Sequence, residues 1–233
     1  MIKMKMKILI VTALLLLLTS GCKLETSSAN PNSNAKANAN ANVPADTRNS
    51  DQEARANCAL RIAVAPVLHG LKLGMSPQEV LALFPESKDD ADVKALLARP
   101  PSQFGGTELV IHPQKYPSKD KFPGIDHINF SFLDGHAHTI NVGYSGPAYA
   151  HVDEFVNKFV TGTSLPPADQ WQAYPGMDTQ MKTLTCQDFE VRVFAGGEGG
   201  NLNYVLLTDR EADKTLKDRR AKARAQAKPS TSP

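Results

Sequence analysis

Five of the chain's six histidines fall within 40 residues, at His112, His127, His136, His138 and His151. Imidazole is the commonest metal ligand and titrates near neutral pH. His136 and His138 stand two apart at the start of a strand-like run, a spacing that turns both toward one sheet face, and His127 belongs to the run before it. These three are the candidates for a metal site. A His-x-His metal motif, however, carries a Gly-rich approach and a following Glu, and Thr139 to Gly143 holds none. Scattered strand-end histidines are the plainer reading, so no metal is assigned and the three remain weak candidates.

Other constellations carry less. Gly196, Gly197, Glu198, Gly199 and Gly200 join two strand-like runs. A phosphate cradle instead leads from a strand into a helix N-terminus, so the segment reads as a hairpin loop. Ser145, His151 and Asp153 are the residue types of a hydrolytic triad, but no nucleophile elbow frames Ser145. His-Glu-x-x-His, Gly-x-Ser-x-Gly and Gly-Lys-Ser/Thr are absent from the sequence. No catalytic residue and no cofactor are expected. The reading is a non-enzymatic protein, with a metal-binding protein or hydrolase using His127, His136 and His138 as the alternative.

The elements that would hold these residues alternate between two periods. Ser76, Pro77 and Glu79 form a helix start with N-cap, N1 proline and capping box, ended by Pro85. A second start at Asp89 or Asp90 leads to Val93, Leu96 and Leu97, stopped by Pro100 and Pro101, so two short helices meet at a tight turn. Period two then marks strands at 108–112, at Ile128, Phe130 and Phe132, and at Ile140, Val142 and Tyr144. Asp134 and Gly135 lie in the turn between the last two. A two-residue turn would set Phe130 opposite Thr139 and part the apolar faces, so a three-residue loop, 133–135, with a left-handed bulge at Gly135 is expected. Val152, Phe155, Val156 and Phe159 form an amphipathic helix, and strands follow around Leu184, at 189–194 and at 202–207.

Before this domain the chain changes character. Lys3, Lys5 and Lys7 precede an apolar run at 8–18, whose 11 residues fall well short of the about 20 needed to span a bilayer. This is the pattern of a cleaved secretion signal. Leu18, Thr19, Ser20, Gly21 and Cys22 resemble the lipobox at which bacterial lipoproteins are acylated and cut, with Thr19 where Leu is commoner. The resemblance implies a signal peptide at 1–21 and a mature chain anchored to the lipid bilayer through an acylated Cys22. Lys23 stands where Asp would retain a lipoprotein in the inner membrane under the enterobacterial sorting rule. That resemblance implies the outer membrane, facing the periplasm. For an exported protein, nucleic acid is not expected as a partner.

Residues 22–57 are rich in Asn, Ala, Ser, Pro and Thr, a disordered tether with an r.m.s. reach of roughly 30 Å. Residues 58–209 form a single domain with 11 basic and 17 acidic residues, and 210–233 a basic, partly helical to disordered tail with 8 against 3. Cys58 and Cys186 bound the domain in a compartment that permits disulfides. They are expected to pair, the alternative being two buried thiols.

Leu71 to Val80, reading Leu-Lys-Leu-Gly-Met-Ser-Pro-Gln-Glu-Val, resembles the Gly-Met-Ser/Thr opening before the first helix of the SmpA/OmlA outer-membrane assembly lipoproteins and of β-lactamase-inhibitor-protein-like repeats. The resemblance implies an α+β fold, an antiparallel sheet with short helices packed on one face, and an envelope protein as partner. Pro85, Glu86 and Ser87 depart from the Gly-containing turn of those families, so no partner-binding residue is carried over.

Overall fold

Ser76 starts the first helix by the reciprocal bonding its sequence encodes. In the computed structural model, which describes residues 57–196 and 202–227, Ser76 Oγ accepts from the Glu79 N–H at 3.3 Å and Glu79 Oε2 accepts from the Ser76 N–H at 2.7 Å. The helix, α1, spans Pro77–Leu83. Pro85 opens a 3-10 segment, Pro85–Asp89, where a tight turn was expected. Asp90 then caps α2 (Ala91–Leu97), its Oδ1 accepting from the N–H of Asp92 at 2.8 Å. Val80, Phe84 and Val93 are buried, and the Phe84 ring lies 4.4 Å from that of Phe122.

Among the described residues seven strands form one antiparallel sheet: β1 (Gly106–Ile111), β2 (Ile125–Leu133), β3 (His136–Ser145), β4 (Gln172–Ala173), β5 (Met181–Thr185), β6 (Phe189–Phe194) and β7 (Leu202–Asp209). Their order is β1-β2-β3-β7-β6-β5-β4. Strand alternation puts Leu109, Ile111, Ile128, Phe130, Ile140, Val142, Val205, Leu207, Val191, Val193 and Leu184 on one buried face. They form one core with Val80, Phe84 and Val93 and with Val152, Phe155 and Val156 of α3 (Val152–Val160). At about 1.5 to 3 kcal/mol for each fully buried large apolar side chain, this layer carries most of the stability. The α+β class and the antiparallel sheet with helices against one face agree with the expectation.

The β2–β3 connection differs from the expected three-residue loop. Leu133 pairs directly with His136, leaving a two-residue turn of Asp134 (φ 51°) and Gly135 (φ 85°), the left-handed pair of a type I′ hairpin. Parity is restored inside the strand. Ser131 pairs with Thr139 but Phe132 with Ala137, so His138 is the extra residue of a β-bulge, and Phe130 meets Ile140 as burial demands.

The β4 edge of the sheet is short, as native edges often are. The α2 helix lies against β1. At the other side β4 is two residues long, and the chain at 57–58 continues the edge of β5, with Asn57 and Cys58 N–H donating to Thr185 O at 2.7 and 3.2 Å. Cys58 and Cys186 are disulfide-bonded here.

Arg210–Ala227 is an 18-residue helix, α4, within the 210–233 tail expected to be partly helical. It is docked: Leu216 is buried, and Arg219 Nη1 donates to Phe104 O at 2.9 Å. Among the described residues no helix is long and apolar enough to cross a membrane. Cys22, the signal peptide and most of the tether lie outside the described residues, as do Gly197 to Gly200 of the glycine-rich segment; it joins β6 to its antiparallel neighbour β7.

Candidate functional site

The three candidate histidines go to three different environments. His136 is exposed, its Nδ1 3.1 Å from the Gly74 carbonyl oxygen. His127 pairs with the adjacent Asp126 at 2.8 Å and lies 6.3 Å, ring to ring, from His112. His138 is buried at the bulge, with Nδ1 3.2 Å from Thr139 Oγ1. The bulge is the reason the two-residue spacing fails to give His136 and His138 a common surrounding: an extra residue breaks the alternation that would have aligned them. Among the described residues no group of three or more His, Cys, Asp or Glu is arranged to hold a metal ion.

Ser145, His151 and Asp153 each take part in local structure. His151 caps α3, its Nδ1 accepting from the Asp153 N–H at 3.3 Å, and Asp153 forms an ion pair with Lys182 at 2.6 Å. The Ser145 N–H donates to Gly124 O at 2.9 Å at the end of β3.

The sheet face turned away from α3 is the larger feature, and sequence reading passed over it. Register partners place Val110, Asn129, Asn141, Leu206, Arg192 and Thr183 in one row across it. His127, Gly143, Tyr204, Phe194 and Met181 form the next row. Phe194 and Tyr204 stack with ring centres 4.9 Å apart, and the Arg192 guanidinium lies 5.6 Å from the centre of the Tyr174 ring. Tyr174 is 41% exposed, and Leu202, at the same strand parity as Tyr204, is 47% exposed. In the first row Asn141 Oδ1, Thr183 Oγ1 and Arg192 Nε lack a hydrogen-bond partner among the described residues. A signal for this face stands in β7: Leu202, Tyr204 and Leu206 are apolar at the positions between buried Asn203, Val205 and Leu207. A strand apolar at both parities has two faces to cover.

At the turn end of this sheet α4 roofs a pocket of about 490 Å³ bordered by β1, β2, the His138 bulge and the end of α2. Burial lowers the pKa of His138, partly offset by nearby Asp213 and Asp209, and so favours the neutral imidazole. A second pocket, of about 450 Å³, lies on the helical side, with Tyr144, Tyr149 and Phe155 among its walls. Burial pushes the Tyr144 hydroxyl up to about 12.

No protein-family model, curated protein or solved structure matches this chain.

Proposed function

We propose that the chain is a lipid-anchored envelope protein, acylated at Cys22 and carried to the periplasmic side of the outer membrane, whose domain binds another envelope protein through the sheet face of Tyr174, Arg192, Phe194, Leu202, Tyr204 and Leu206.

The observation that carries this reading is the composition of that face. Tyr and Arg are the residues most enriched at binding hot spots, because each offers a large contact area with a polar end. Here they are interleaved with Phe194 and Leu206 on a rigid sheet, where little order has to be imposed on binding. The fold supports the reading from the other side: the β4 edge is only two residues long, which disfavours strand addition there and leaves the side-chain surface. The disulfide and the leader agree with an exported protein.

The test is site-specific photocrosslinking in intact cells, with the crosslinker at Leu206 or Leu202 on the open face and at Lys88 on the helical side. A discrete adduct from the first two positions, absent from Lys88 and lost when Tyr204 is changed to Ser, is the expected result. No adduct, or equal adducts from both sides, would overturn the proposal.

A further inference from the structure

The pocket under α4 is lined by charges of both signs, Arg99, Arg220, Glu108 and Asp213. Arg99 and Glu108 line it, and neither forms an ion pair or side-chain hydrogen bond among the described residues. Arg220 lies over the Phe104 ring at 6.0 Å, and Asp213 pairs with Lys217 at 2.8 Å on the same helix. His138 shares this lining, 7% exposed, with its Nδ1 engaged by Thr139 Oγ1. His138 Nε2 makes no hydrogen bond among the described residues, and the residue lines the pocket. Leu96, Phe132 and Leu216 supply apolar wall.

We propose that this pocket binds a small zwitterion of the amino-acid or dipeptide class, its carboxylate toward Arg99 and Arg220, its ammonium toward Glu108 and Asp213, and a backbone group on His138 Nε2.

The charges decide the class. A simple anion drawn to two arginines would meet two carboxylates in the same pocket, and a simple cation would meet the arginines. A ligand with separated opposite charges satisfies both pairs. A neutral imidazole either donates or accepts, which suits the amide of a dipeptide. The volume lies within the about 300 to 1,000 Å³ of small-molecule sites. The apolar wall favours an uncharged side chain. The inference is independent of the partner face, since none of that face's six residues lines the pocket.

The experiment is titration of the full chain with alanyl-leucine, followed by calorimetry and by the NMR signals of the His138 ring, with the N-acetylated and C-amidated dipeptides in parallel. Saturable binding that moves the His138 signals, and a loss of about tenfold or more on blocking either terminus, is expected. Arg99→Gln should weaken the free dipeptide yet leave the amide little further weakened, and Glu108→Gln should do the same for the acetylated form; both side chains are exposed, so folding is preserved. Absence of a saturable His138 response, or indifference to blocking either terminus, would overturn the proposal.

Discussion

Arg219 grips Asp134 through both guanidinium nitrogens, Nη1 donating to Oδ1 at 2.9 Å and Nη2 to Oδ2 at 2.6 Å, and so ties the C-terminal helix to the β2–β3 turn. The arginine's hydrogen bonds hold the Asp134 carboxyl below the usual carboxylate range. Gly105 leaves room for the clasp: a Cβ there would fall 2.3 Å from Asp134 Oδ1.

Asp134→Asn is therefore expected to loosen α4 without unfolding the sheet. Amide exchange should rise across residues 216–227 and stay unchanged in β2, β3 and β7. The pH dependence follows in sign: a folded value below the unfolded one, about 3.9, stabilises above about pH 4 and is lost as pH falls through the folded value. Equal exchange in α4 of both proteins would show that the other contacts, the burial of Leu216 and the Arg219–Phe104 bond among them, suffice to hold the helix.

His127 occupies the space that Gly143 leaves by lacking a side chain. A Cβ at 143 would lie 2.4 Å from His127 Cε1. Gly143→Ala is expected to cost about 1 to 3 kcal/mol by overpacking, and His127→Ala in that background to recover most of it, since the two residues couple directly. Urea unfolding of the two single variants and the double variant measures this.

The Cys58–Cys186 bond closes a loop with a sequence separation of 128. In the chain-entropy account such a loop contributes up to about 5 kcal/mol. Replacing both cysteines with Ala should lower the urea midpoint markedly, and a reductant should lower that of the parent chain but not of the variant.

Alkali should ionise Tyr116 and Tyr144 late. Both hydroxyls are pushed up to about 12, Tyr144 by burial and Tyr116 by burial and then by its bond to Asp90 Oδ2 at 3.0 Å. Because these values exceed the unfolded one of about 10, their contribution is full below about pH 10 and is lost as pH rises through about 12. Tyr204 is also raised by burial, so ultraviolet titration should show Tyr116 and Tyr144 among the late tyrosines, with one late component missing in Tyr116→Phe.

Protein extracted from membranes should have an intact mass that begins at acylated Cys22, with two thiols appearing only on reduction. An unacylated mass would remove the anchor from the proposed function.

Elements whose cause is local were legible in the residues themselves. The Ser76–Glu79 capping box, the Pro85 stop, the Asp90 cap and the amphipathic Val152–Val160 helix each depend on neighbours within four positions, and each stands where its signal lies. Strand alternation likewise identified one buried face. Apolar Leu202, Tyr204 and Leu206 also carried the sign of a second face, but the partners that make it a surface come from β6, β3 and the end of β4, distant in sequence.

What the sequence by itself determined is thus the list of elements, their capped ends and the buried stripe of each strand, because helix termini and strand periodicity are set by residues a turn or a pleat apart. Only the tertiary structure decided that the hairpin closes in two residues with its bulge at His138, that α4 docks through Leu216 and Arg219, and that the histidines separate. Those outcomes depend on matching the apolar register of two strands and on contacts between residues far apart in the chain, such as Arg219 with Asp134, and no local pattern encodes that sum.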